Sequence, residues 1–351
     1  MKRVPRGALP LVLGTAALWL LFQALNPNFL TALNLTNLAG QVAALGVLGT
    51  ALGVVLLAGE IDLAAGATSG LCAAVTAVLV TRGWNAPGAL LAGTLLGASL
   101  GFGQGALSAW VRIPSFVVSL GGLLAWQGAL LLVLGDTGAL NLRDPLLVAL
   151  AGAFVPVVLV GPVAVMALGF HARHAGLART ALPAVLCGVA LVVFAADRGV
   201  PLGFLLLVAL AWALDVVLRR TRAGRHLVAV GGNAEAARRA GIPVERVRAA
   251  AFAVAGALAA WSGVLAASRV LAVHQSSGSG DTLLNAVAAA VIGGTSLQGG
   301  SGSAWSGLLG ALVVGTIANG LDLLAVGSAA KFMATGAVLL AAVTVDALSR
   351  R

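Results

Sequence analysis

"LAGQVAALGVLGTALGVVLLAGEIDLAAGATSGLCAAVTAVLVT", Leu38 to Thr81, decides how this chain is read. It holds two apolar runs, 38–58 and 63–81, each close to the roughly 20 residues that a helix needs to cross hydrocarbon. Between them stand Glu60 and Asp62, with no loop worth the name. An ionisable side chain inside a bilayer costs at least a few kcal/mol. The chain must therefore break its helix here while still buried or nearly so, and the two acids are candidates for a translocation path or a helix break. Asp62 can cap a helix expected to begin at Leu63 by accepting backbone N–H bonds.

The same pattern runs outward through the chain. Of 351 residues, 60% are hydrophobic and 9% charged, and the mean hydropathy is +1.04, so there is too little polar surface to coat a water-soluble globule. The reading is all-α: a polytopic membrane protein of about 10–12 transmembrane helices in one transmembrane domain, 1–351. Apolar segments fall at 8–25, 38–58, 63–81, 88–109, 116–134, 146–169, 181–196, 200–218, 249–268, 282–298, 303–321 and 328–348. The segment 282–298 is short and ends in "GGTSLQGGSGS", which points to a re-entrant or broken helix. The run at 8–25 is too long for a signal-peptide core and no small-x-small cleavage site follows it, so it reads as an uncleaved span.

Placed on alternate sides of these spans, 16 of the 21 Lys and Arg fall on one side, with eight arginines between 219 and 248. Cytoplasmic loops hold that excess, which puts both termini in the cytoplasm. The net charge of +10 is thereby a matter of membrane orientation and lipid contact, and no nucleic-acid partner is expected.

Small residues recur at helical spacing, at Gly93, Gly97, Gly101 and Gly105 and again at Gly307, Ala311 and Gly315, a pattern that lets helices pack closely. Gly97 to Gly101 also matches G-x-S-x-G, but that pattern marks a nucleophile only at a strand-to-helix turn, and here it lies mid-span. The lysines are Lys2 and Lys331, and neither follows a glycine as a phosphate-binding G-K-[ST] requires. The chain carries no P-loop. His171 and His174 sit in a short basic loop without carboxylate or cysteine neighbours, and Cys72 and Cys187 lie far apart in apolar runs, so neither pair suggests a metal site. Asp215, beside Arg219 and Arg220, reads as an interfacial ion pair. Asp322 with Asn319 near a span end reads equally well as an interfacial acid or as part of the path. A membrane enzyme would need a cluster of nucleophile, base and acid, and none is visible.

The stretch 219–248 interrupts the apolar pattern. Arginines 219 to 225 need no more than an ordinary basic loop. Beyond them, Asn233 is a good N-cap, Glu235 suits the positive start of a helix, Arg238 and Arg239 suit its end, and Gly241 can take a left-handed stop. The result is a two-turn helix, too short to be stable alone in water, and therefore held by contact with something. Pro243 then leads the chain back toward the membrane.

Four stretches resemble the permease subunits of ATP-binding-cassette importers for monosaccharides, of the ribose, xylose and galactose type. "GEIDLAAGA" at 59–67 is similar to that family's GGIDLS-G segment, and "RIPSFVVSLGGLLAWQG" at 112–128 to its R-x-P-x-F segment. "TRAGRHLVAVGGNAEAARRAGI" at 221–242 resembles its coupling loop, and residues 286–324 resemble its I-G-G-[TA]-S-L-x-G-G segment. Glu60 stands where that family commonly has Gly, and Ala64 and Ala65 replace a Ser and a small or branched residue. The region 136–199 is longer than in the ribose type by about two spans, as in the xylose-type subgroup.

The resemblance implies a bacterial inner-membrane permease that changes no covalent bond. It implies that Gly224, Arg225, Gly231, Gly232, Asn233, Glu235, Ala236, Arg238, Arg239 and Gly241 bear on a separate ATPase. That ATPase would hold ATP and Mg, with no cofactor in this chain. A second permease copy and an extracytoplasmic sugar-binding protein would complete the assembly. Two alternatives stay open. One is a permease of the same kind for another small solute such as a branched-chain amino acid. The other is an ion-gradient-driven secondary transporter, in which Glu60, Asp62 or Asp322 would be the ion site.

Overall fold

A computed structural model describes residues 8–331 together with 333, 334, 336, 337 and 340. The predicted span 328–348 lies largely outside the described residues, as do Lys2, Arg3, Arg6, Arg350 and Arg351 and the side chains of His171, His174 and Arg179. Helices dominate: α1 (Ala8–Leu25), α2 (Ala32–Leu57), α3 (Ala65–Thr81), α4 (Ala86–Trp110), α5 (Ser115–Leu134), α6 (Pro145–Gly152), α7 (Val157–Ala175), α8 (Leu177–Ala195), α9 (Leu202–Arg220), α10 (Arg222–Gly232), α11 (Ala234–Arg239), α12 (Val244–Val270), α13 (Gly280–Ile292) and α14 (Ser306–Leu323). Among the described residues six helices are long and apolar enough to cross a membrane, and five shorter apolar helices accompany them. The chain is an all-α polytopic membrane protein.

Small residues decide the packing. Along α4, a Cβ added at Gly97 or Gly101 would overlap the carbonyls of Gly256 and Phe252 on α12, and one at Gly93 would overlap Thr76 of α3. The backbones of α4 and α12 therefore touch, as the four-residue spacing predicts. Gly307 likewise brings α14 against the backbone of α2 at Thr50, and Gly315 makes room for the Val42 side chain of α2. Ser99, inside the G-x-S-x-G match, lies mid-helix and its hydroxyl donates to the carbonyl of Leu95 at 2.7 Å. Around these contacts the central core gathers Val47, Leu130, Leu207 and Leu265, all buried.

Two helices begin inside the bundle rather than at its end. Ser69, in the first turn and a half of α3, packs its carbonyl on Gly263, well along α12, and Gly66 packs on Gly278 just ahead of α13. The stretches before α3 and α13 are thus folded back between longer helices, where irregular backbone is tolerated because protein surrounds it.

The predicted crossing at 146–169 is corrected. Eight residues of α6 reach about 12 Å and cannot cross hydrocarbon about 30 Å thick. The chain pairs β2 (Phe154–Val155) with β3 (Val200–Pro201) before α7 starts after Pro156, a residue that cannot donate within a helix. The end of α12 anchors α6: Ser268 Oγ accepts from the Ala151 amide at 2.9 Å and donates to the Val148 carbonyl at 3.0 Å. At that same end of the molecule β1 (Ala139–Asn141) pairs with β4 (Ala272–His274). The opposite end carries α10 and α11 and is called the basic end below.

Candidate functional site: a glycine junction at the basic end

The arginines from 222 to 225 lie in a helix, not in the plain basic loop that their charge alone suggested. Thr221 caps α10 by accepting from the Gly224 amide at 3.2 Å. Gly224, Leu227 and Val230 are buried at helical spacing while Arg222 and Arg225 face outward, so α10 is amphipathic and lies against the bundle. Asn233 ends it and caps α11, its side-chain oxygen accepting from the Ala236 amide at 2.9 Å. The six-residue α11 is held by Ala237, buried against Val230 and Val244, and the turn after it passes through Gly241 at φ +79°. Glu235 pairs with Arg238 at 3.3 Å and with Arg239 at 3.2 Å, and Arg238 reaches Glu245 on α12 at 2.6 Å. The hydrogen bond to Glu245, followed by the charge of that carboxylate, raises the Arg238 pKa above its ordinary value.

Behind α10 three glycine segments meet backbone to backbone. A Cβ on Gly231 would overlap the Leu57 carbonyl and approach the Gly300 nitrogen to 2.6 Å. A Cβ on Gly299, at φ +85°, would lie 2.6 Å from the Gly59 Cα and 2.7 Å from the Gly231 carbonyl. The Gly300 amide donates to the Leu57 carbonyl at 3.1 Å. Only glycine permits this approach, and Gly299 also needs the positive φ. The junction thus joins the end of α2, the end of α10 and the loop between α13 and α14.

An ion pair runs beside it. Arg248 Nε lies 2.8 Å from Glu60 Oε1, without the N–H alignment of a hydrogen bond. Glu60 is buried, so the pair counts for more than a surface contact. Both residues line a cavity of about 430 Å³ together with Arg112, Ser115, Arg238 and Glu245. Next to it, the Ile61 amide donates to Ser115 Oγ at 3.2 Å and Ser119 Oγ donates to the Ile61 carbonyl at 3.3 Å, which fixes the broken segment to α5. Asp62 Oδ1 accepts from the Ala64 amide at 2.8 Å, in the turn before α3, whose first residue is Ala65 rather than Leu63.

The four acidic and amide residues singled out from sequence do not converge. Glu60 and Asp62 stand near the junction, whereas Asn319 exchanges reciprocal hydrogen bonds with Asn34 at 2.9 and 3.1 Å, and Asp322 pairs with Lys331. Asp215 pairs with Arg219 at 2.7 Å. Sequence reading passed over Arg248, Arg112 and Ser115. It also passed over Gln104, buried on α4 with neither amide atom partnered and packed against Gly122 of α5. Gln104 lay in plain view as a polar residue inside the glycine stripe.

The sequence pattern of the branched-chain amino acid transport system / permease component family matches residues 34–343. The chain belongs to this permease family. The permease is 34% identical over 343 residues to the xylose transport system permease protein XylH of Escherichia coli (strain K12), covering 92% of this chain and 87% of that one. It is 31% identical over 326 residues to the ribose import permease protein RbsC of the same organism, covering 92% and 88%. To the autoinducer 2 import system permease protein LsrC of Salmonella typhi it is 30% identical over 335 residues, covering 95% and 84%. No solved structure matches the permease. With its apolar helices this makes it a multi-pass inner-membrane transport subunit, not an enzyme.

Proposed function

We propose that the chain is the membrane-spanning subunit of an ATP-driven importer of a monosaccharide such as xylose or ribose, and that α10 and α11 are the surface on which a separate ATPase bears. The observation that carries this reading is the glycine junction. A displacement applied to α11 passes through α10 to Gly231, and from there directly into the break after α2 and the loop after α13. The ion pair Arg238–Glu245 joins α11 to α12, and Arg248–Glu60 joins α12 in turn to the broken segment. Moving packed helices past two partly buried helix starts is a physical basis for alternating access.

In this reading the basic end is cytoplasmic, the 219–248 segment is the coupling segment, and residues 136–199 carry an extra pair of crossings formed by α7 and α8. ATP and Mg belong to the partner ATPase. An extracytoplasmic sugar-binding protein delivers the substrate and a second copy of the chain completes the path. The relatives named for xylose and ribose favour a sugar over the branched-chain amino acids of the family's description.

Proteoliposomes holding the chain with its ATPase and binding protein test this. Labelled xylose or ribose should accumulate with internal or external ATP supplied on the ATPase side, and ionophores should leave uptake unchanged. Uptake that follows an ion gradient without ATP, or accumulation of leucine in place of either pentose, would overturn it.

A further inference from the structure

Between α9, α10 and α12 the surface opens into a slot of about 250 Å³ with almost wholly aliphatic walls. Leu214 and Val217 of α9, Leu227 of α10 and Val254 of α12 line it, with Val54 of α2. Val217 and Val254 are exposed, so the slot opens at the side of two apolar helices. Arg246 and His226 also line it. Arg246 stands two turns from Val254 on α12, so charged end and apolar end are separated by about 12 Å. Arg222 and Arg225 are exposed on the neighbouring α10. None of Arg222, Arg225 and Arg246 has a carboxylate partner among the described residues, whereas Arg219, Arg238, Arg239 and Arg248 are all paired.

We propose that this slot binds one anionic phospholipid of the adjoining leaflet. An acyl chain lies along Leu214, Val217 and Val254, and the phosphate meets Arg246 and His226, with Arg222, four residues before His226 on α10, beside it. Unpaired cations at the membrane boundary attract anionic headgroups, and the aliphatic wall offers an acyl chain surroundings as apolar as the bilayer core, so the headgroup decides which lipid is held. A free anion would use the rim and leave the wall bare. A docked helix about 10 Å across would need several times this volume over the same length. Because α10 forms one wall, the bound lipid holds that helix against α9 and α12. This consequence rests on the reading of α10 and α11 as the coupling segment, while lipid binding itself does not.

Native mass spectrometry of the detergent-solubilised chain, titrated with phosphatidylglycerol or phosphatidylcholine, reads the binding apart from transport. Phosphatidylglycerol should be retained over phosphatidylcholine, and Arg222→Gln and Arg246→Gln should each weaken its retention about fivefold. Ala250→Phe, which fills the slot without altering charge, should lower retention of phosphatidylglycerol as well. Equal retention of the two lipids, an unchanged preference in the arginine variants, or unchanged retention in Ala250→Phe would overturn the proposal. So would displacement of the lipid by inorganic phosphate, the mark of a simple anion site, or capture of the ATPase instead of lipid by a photocrosslinker at Ala250 in the full complex.

Discussion

At the scale of single residues, the pair Glu60–Arg248 offers the sharpest prediction. Glu60 is 8% exposed, so Arg248→Ala strands a carboxylate with little access to water. The expected loss is about 1–3 kcal/mol, between the limits for exposed and buried pairs. Glu60→Ala removes that charge, and the double variant should recover most of the loss. Thermal unfolding of the purified chain measures this cycle, and additive effects would mean that the two groups do not interact. Glu60 itself was legible, since an acid between two apolar runs stands out in any reading. Its partner was not, because Arg248 lies 188 residues further along and looks like one more cytoplasmic arginine. The same limit applies at the junction: Gly231 and Gly299 look like local turn residues, and only their contact with the segment at Leu57–Gly59 reveals why neither can carry a side chain.

At the scale of elements, α11 is a six-residue helix that cannot stand alone. Its stability comes from the Asn233 cap, the Glu235 ion pairs and the burial of Ala237. Asn233→Ala should cost about 1 kcal/mol locally, lowering sugar-stimulated ATP hydrolysis in the reconstituted complex while membrane insertion stays normal. Unchanged stimulation would mean that α11 is not where the ATPase bears. Cap, length and stop of this helix were readable because each is a short-range effect of one residue type. The neighbouring α10 was hidden by its charge, although Thr221 followed by apolar residues at 227 and 230 was the available signal. The break between α6 and α7 was hidden for a different reason. An apolar run is continuous in composition across Pro156, and periodicity alone cannot say where a helix stops inside it.

At the scale of the whole molecule, composition alone fixed the class, since a chain this apolar has nowhere but a membrane to fold. Orientation is the remaining prediction. A single cysteine introduced as Arg239→Cys should react with an impermeant maleimide only after the cells are opened, whereas Arg82→Cys should react in intact cells. Of the two native thiols Cys72 is buried, and the partly exposed Cys187 is replaced by Ser so that it gives no background. The reverse labelling pattern would invert the assignment of the basic end. What composition could not give was the meeting of residues near 59, 231 and 300, because contacts across such separations depend on how all the helices pack.

The glycine junction also has a mechanical consequence. Joints made of side chains absorb motion, since a rotamer can hop and let one helix slip past another. Backbone resting on backbone has no such slack. On the proposed coupling, a stroke delivered at Gly231 would reach Gly59 and Gly299 with little compliance, because no side chain stands between them.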